Sequence, residues 1–130
     1  MLYIMDIYIM SWTECTGFDW DDGNSGKNWE KHGVADFEAE EIFFNRPFIV
    51  RHDAAHSREE NRWRALGRTD ADRYLFVAFT VRHGLIRVIS ARVMTRRERR
   101  FYAKYEKSEE AQATSGFQVG RRRKRVLGHP

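Results

Sequence analysis

Residues 85–102 constrain the fold more than any other stretch. Leu85 to Val93 is apolar and β-branched, interrupted by Arg87, Ser90 and Arg92. Such a run reads as a strand. Thr95 follows, with Glu98 three residues on. That is a capping box: the hydroxyl accepts from a backbone N–H, and the carboxylate reaches back to the cap. A strand therefore passes almost directly into a helix. Arg96 and Arg97 then occupy the first turn, where the helix dipole disfavours cations. A local rule broken in this way points to function. From Arg82 to Lys104 there are seven arginines and one acid, Glu98. Arginine binds phosphate through a planar fork of donors, so this density suits an RNA or DNA backbone. A solvated charged face explains a basic run as well.

Upstream, the patterns place the remaining elements. Phe18 to Asp21 alternates and predicts a short strand. Asp21 or Asp22 caps a helix to about His32, with Trp29 as its main core contact and Gly33 as a left-handed stop. Asp36 caps a second helix, Phe37 to Asn45, whose apolar face is Phe37, Ile42, Phe43 and Phe44. After Pro47 the period changes to two. Strands follow at Phe48–His52, Arg62–Arg68 and Tyr74–Val81, the last apolar on both faces and so central. Arg82-His83-Gly84 fits a three-residue hairpin, which sets Val77 opposite Ile89 and Phe76 opposite Ser90. One sheet face then carries Trp63, Leu75, Val77, Phe79, Ile89 and Ala91. The other carries Arg62, Arg64, Arg68, Thr80, Arg82, Ser90 and Arg92. In this register Arg87 falls on the core face, unless it lies at the edge or a bulge re-aims it. The last helix runs from Arg96 to about Lys107, with Phe101, Tyr102 and Tyr105 toward the sheet. The order β-α-α-β-β-β-β-α predicts an α+β fold, a small antiparallel sheet of four to five strands packed by three helices.

With 130 residues and 42% apolar content the chain suffices for one domain and its core. Its net charge of +4 is modest, but acids crowd residues 14–60 and arginines crowd 62–100 and 121–125. A basic second half implies a polyanionic partner, or a protein with an acidic surface. Cys15, the single cysteine, forms no internal disulfide, and no Cys/His spacing suggests zinc. A cytoplasmic location is expected. The apolar start, residues 1–10, is too short to span a membrane and lacks signal-peptide features. Residues 1–17 read as an N-terminal extension, 18–107 as the domain, and 108–130 as a basic, disordered tail.

Several segments together resemble the BrnT family of bacterial toxins. They are Phe18-Asp-Trp-Asp21, Asn28, Lys31-His-Gly-Val34, Phe37-Glu-Ala39, Ile42-Phe43, Asn45-Arg-Pro47, Asp53 with His56-Ser57, and Glu60 with Arg62. Gly67-Arg68, Phe79-Thr80, Arg87-Val-Ile-Ser-Ala-Arg92, Glu98 and Tyr102 continue the likeness, which spans residues 18–106. Where the family usually carries a lysine in its first helix, this chain has Asn24. The resemblance implies a RelE-like fold and the toxin half of a type II toxin–antitoxin pair that inhibits translation by cutting RNA. It also implies a BrnA-type antitoxin partner, through which alone operator DNA is bound. No membrane association and no cofactor are expected. The rival expectation is a non-catalytic protein that binds a partner or DNA complex and serves only operon repression.

RNA cleavage without a metal requires a base for the ribose 2′-OH, stabilisation of the phosphate, and an acid for the leaving 5′-oxygen. Fixed arginines suit the second task, because charge grows on the phosphate oxygens in the transition state. No carboxylate cluster for Mg²⁺ lies near the basic stretch, so no metal site is expected. Arg62 and Arg92 are the first candidates, being basic-face strand residues at positions that match the family. A strand arginine paired with a glutamate is the bland alternative. Arg87 also matches the family. Histidine is the default acid or base, and His56, in a polar loop, is preferred over His32, which a helix C-terminus explains. Glu98 is accounted for by its capping box and Tyr102 by packing. Arg64, Arg82, Arg96, Arg97 and Arg100 complete the expected RNA-binding set, the last three serving equally to hold acidic antitoxin residues.

Overall fold

Alternating apolar residues from Arg62 to Val93 build the scaffold. In the computed structural model, which describes residues 12–115 and side chains to 108, four strands form one antiparallel meander in the order β1-β2-β3-β4. They are β1 (Ile49–His52), β2 (Arg62–Arg68), β3 (Tyr74–Arg82) and β4 (Leu85–Val93). Two short helices, α1 (Lys27–His32) and α2 (Asp36–Glu41), precede the sheet, and α3 (Arg96–Ser115) follows it. The fold is α+β in the expected element order, the first strand being a single parallel bridge between Phe18 and Ile86. The expectations for residues 1–10 and for the basic run 121–125 lie outside the described residues.

The β3–β4 register differs from expectation by two residues. His83 and Gly84 both have positive φ and form a two-residue turn, with Arg82 paired to Leu85. That shifts the pairing by one. Phe79 then faces Val88 while Ala78 faces Ser90, so Ile89 is a bulged extra residue and shifts it by one more. Val77 therefore pairs with Ala91 and Phe76 with Arg92. Ile86 and Val88 enter the core where Ile89 was expected. The shorter turn takes Arg87 off the core face and aligns it with Thr80 and Arg62 across three strands, and the bulge keeps Ala91 in the core.

The core lies between one sheet face and the α1–α2 layer. Trp63, Ala65, Leu75, Val77, Phe79, Val88 and Ala91 meet Val34, Ala39 and Ile42, all nearly inaccessible to solvent. Gly67 permits this approach: a Cβ there would stand 2.8 Å from Ile42 Cβ. Trp29 is not the core contact of α1, since it is 60% exposed. The inward residue is Asn28, whose side-chain oxygen accepts from Ala91 N at 3.0 Å. It fills an open donor of the outer edge of β4, a task no indole performs. Phe37 is likewise exposed, and Ala39 and Ile42 take the inner face of α2.

Helix lengths follow backbone chemistry. Gly26 is left-handed (φ 77°), so α1 starts at Lys27 and not at Asp21. Gly33 (φ 67°) ends it as expected, donating to Trp29 O at 3.0 Å. Asp36 is the first residue of α2, and its carboxylate accepts from Ser25 Oγ at 2.6 Å. At its far end α3 continues to Ser115, because Glu, Ala and Gln propagate a helix without an apolar stripe. Tyr102 is fully buried, and its hydroxyl donates to Pro47 O at 2.5 Å. Tyr105, expected to face the sheet, is 40% exposed and rests on Phe101.

Candidate functional site

The sheet face opposite the core carries the arginines in register. Arg62, Thr80 and Arg87 form one cross-strand row; Arg51, Arg64, Ala78 and Ser90 form the next. A third row holds Ile49, Leu66, Phe76 and Arg92. The last row, Arg68 and Tyr74, is covered by α3 through an Arg68–Glu106 ion pair at 3.1 Å and through Arg99 stacked on Tyr74. The helix therefore closes one end of the basic face and leaves the other open.

At the open end the loop between β1 and β2 makes a cleft of about 540 Å³, lined by Ala55, His56, Arg58, Glu59, Glu60 and Arg62. His56 stands on a turn of 3₁₀ helix, Ala54–His56. Its Nδ1 lies 3.0 Å from Asp53 Oδ2. Asp53 is itself nearly buried, and its backbone N–H donates to Arg62 O at 2.8 Å, which ties the loop to β2. Ser57 reinforces the tie by donating to Asp53 O and accepting from Arg62 N. Glu60 lies 3.7 Å from Arg62 and 3.3 Å from Arg82. Arg62 Nε is buried with no hydrogen-bond partner among the described residues. The cleft thus gathers an imidazole with a carboxylate on one nitrogen, a second carboxylate and a guanidinium.

The other sequence candidates are placed differently. Arg87 reaches over the outer edge of β4 to Asp21 at 2.9 Å and Asp19 at 3.3 Å, with only 13% of its side chain exposed. Its hydrogen bond holds the Asp21 carboxyl below its ordinary value. Arg92 makes a two-pronged pair with Glu98, at 2.8 and 3.0 Å, and lies over the Phe76 ring. Glu98 also accepts from Thr95 N at 2.9 Å while Thr95 Oγ1 accepts from Glu98 N, so the capping box is formed as expected. Arg64, Arg96, Arg97 and Arg100 are exposed and make no ion pair among the described residues. Burial pushes the Tyr102 phenol above its ordinary value, and its hydroxyl is taken up by Pro47 O. Arg51 is the basic-face residue the sequence did not single out. Its row is set by pairing with Arg64, and a long loop separates the two strands.

The Arg92–Glu98 pair gives the protein an acid-sensitive joint between β4 and α3. Arg92 holds the Glu98 carboxyl below its ordinary value of 4.5, ahead of an opposing effect of burial. A depressed folded-state value contributes stability above the unfolded value, and that stability is lost as pH falls through the folded one. Arg92→Gln is therefore expected to lower the urea midpoint at neutral pH, by a difference that shrinks progressively as the pH falls below the ordinary glutamate value of 4.5. A pH-independent difference between the two proteins would show that the pair is not the cause.

Residues 20–98 match the family described as ribonuclease toxin, BrnT, of type II toxin-antitoxin system. The chain belongs to the BrnT family. It is thus a type II toxin with ribonuclease activity, and an antitoxin protein is its partner. The BrnT match takes in the whole sheet, the cleft and the capping box, and every candidate named from the sequence except Arg100. No curated protein matches the chain. Among the described residues no helix is long and apolar enough to cross a membrane. Nor do these residues include a group of three or more His, Cys, Asp or Glu placed to hold a metal ion.

Proposed function

We propose that this BrnT toxin cleaves RNA without a metal ion, by attack of a ribose 2′-oxygen on the adjacent phosphorus, and that it inhibits translation by this cleavage of mRNA. One observation carries the mechanism: His56, braced by Asp53, lines the same cleft as Glu60 and Arg62. Glu60 takes the 2′-OH proton. The 2′-oxygen bonds to phosphorus, and the P–O5′ bond breaks. His56 gives its Nε2 proton to the leaving 5′-oxygen, leaving a 2′,3′-cyclic phosphate and a 5′-hydroxyl. Arg62 stabilises the charge that builds on the non-bridging oxygens, with Arg82 on the other side of Glu60. Arg64 and the exposed Arg96, Arg97 and Arg100 bind flanking phosphates. Arg87 and Arg92 already hold carboxylates, so their part is to set the edge of β4 and the start of α3.

In this reading the antitoxin is of the BrnA type, covers the basic face, and alone carries the complex to operator DNA. The purified protein is expected to cut RNA in excess EDTA and to leave cyclic phosphate and 5′-hydroxyl ends. Cleavage abolished by EDTA, or 5′-phosphate ends, would refute the mechanism. No cleavage by a folded protein that still binds its antitoxin would favour a role in repression only.

A further inference from the structure

A second concavity lies between α3 and the basic face, outside the cleft. It encloses about 260 Å³ and is lined chiefly by Ile49, Leu66, Phe76 and Phe101, with Arg51, Arg64 and Arg97 at its rim and Glu98 on one wall. That is slightly below the range of ~300–1,000 Å³ typical of pockets for drug-sized ligands. It is suited to one planar ring. Arg51 already sits over the Phe101 ring, 5.3 Å from its centroid. Arg51 is exposed and makes no ion pair among the described residues, so it is free to swing out by the thickness of a ring.

We propose that this groove is a base-reading subsite: one nucleobase of the bound RNA slots between the Arg51 guanidinium and the Phe101 ring. This rests on the ribonuclease reading above and adds to it a sequence preference. Arg64 lies one row from Arg62, so a strand whose scissile phosphate meets Arg62 passes the groove mouth. Stacking between a cation and an aromatic ring holds any base. The wall supplies discrimination. A carboxylate offers about four acceptor positions. Glu98 uses three, for two Arg92 donors and Thr95 N. The one left, on Oε2, accepts an exocyclic amino group. Adenine, cytosine and guanine carry one. Uracil flanks its single ring N–H with two carbonyl oxygens, which a carboxylate repels. The same negative charge keeps a phosphate, or an acidic side chain of a protein partner, out of the groove floor.

The probes are 5′-labelled 2′-O-methyl hexamers of adenylate, cytidylate and uridylate, which bind but cannot be cut because the nucleophile is blocked. Fluorescence anisotropy at fixed salt gives their affinities for the full chain. Adenylate and cytidylate are expected to bind more tightly than uridylate. Phe101→Leu and Arg51→Gln are each expected to weaken them by about 5- to 100-fold, toward the uridylate value. Arg51 is exposed, so its variant tests the groove even if Phe101→Leu misfolds. Equal affinity for the three hexamers, or unchanged affinity in both variants, overturns the subsite. Loss of antitoxin binding with RNA binding intact also overturns it, by giving the groove to the protein partner. Cleavage by the wild type in EDTA is scored separately. Cleavage with unaltered hexamer binding sinks the groove alone, whereas neither cleavage nor binding sinks both readings.

Discussion

Arg62→Ala is expected to lower the rate of RNA cleavage by about 10²- to 10³-fold, the usual loss when one fixed donor to developing charge is removed. Its side chain is 38% exposed and meets Glu60 only at 3.7 Å, a loose contact that a phosphate displaces readily. The pair contributes little to stability, so the melting temperature should move by no more than a few degrees. Antitoxin binding should survive, since Arg64, Arg96, Arg97 and Arg100 remain. Arg62→Lys keeps the charge but loses the planar fork, and should recover only part of the rate. Initial rates under substrate excess, taken beside thermal melts, separate the outcomes. Full activity in Arg62→Ala, or a loss that tracks unfolding, would remove Arg62 from the chemistry.

Phe79→Ala should destabilise the fold by about 3–5 kcal/mol, a large share of the ~5–15 kcal/mol typical of a domain. Phe79 is completely buried. Its ring stacks on Trp63 with centroids 5.6 Å apart and meets Phe43 at 5.1 Å and Trp12 at 6.0 Å. Truncation removes the contacts of three rings at once, and β3 cannot collapse onto the void because both its neighbours hold it in register. Urea denaturation should show a lower midpoint at unchanged slope. A loss below about 1.5 kcal/mol would mean that the cluster rearranges around the cavity. Such a result would also call in question the rigidity of β2, on which Arg62 and Arg64 stand.

Local chemistry was legible along the chain. Strand β2 runs from Arg62 to Arg68 as its alternation predicts, because a two-residue period needs only a buried and an exposed face. The Thr95–Glu98 box closes within four residues, and the Gly33 stop needs only a positive φ. Contacts between distant segments were not legible. Whether the turn after Arg82 takes two or three residues, and whether Ile89 bulges, is settled by packing of the whole face, and the first of those choices decides where Arg87 points. Arg87 finds Asp21 from 66 residues away. Arg62 and His56 share a cleft because Asp53 and Ser57 fold the loop back on β2. The chain order therefore carried the fold class and the basic face. Which arginines are neutralised, which stand free, and which border a slot fit for a base depended on side chains meeting across the sheet. Charge density along a sequence does not encode those meetings, because each depends on a partner brought close only by folding.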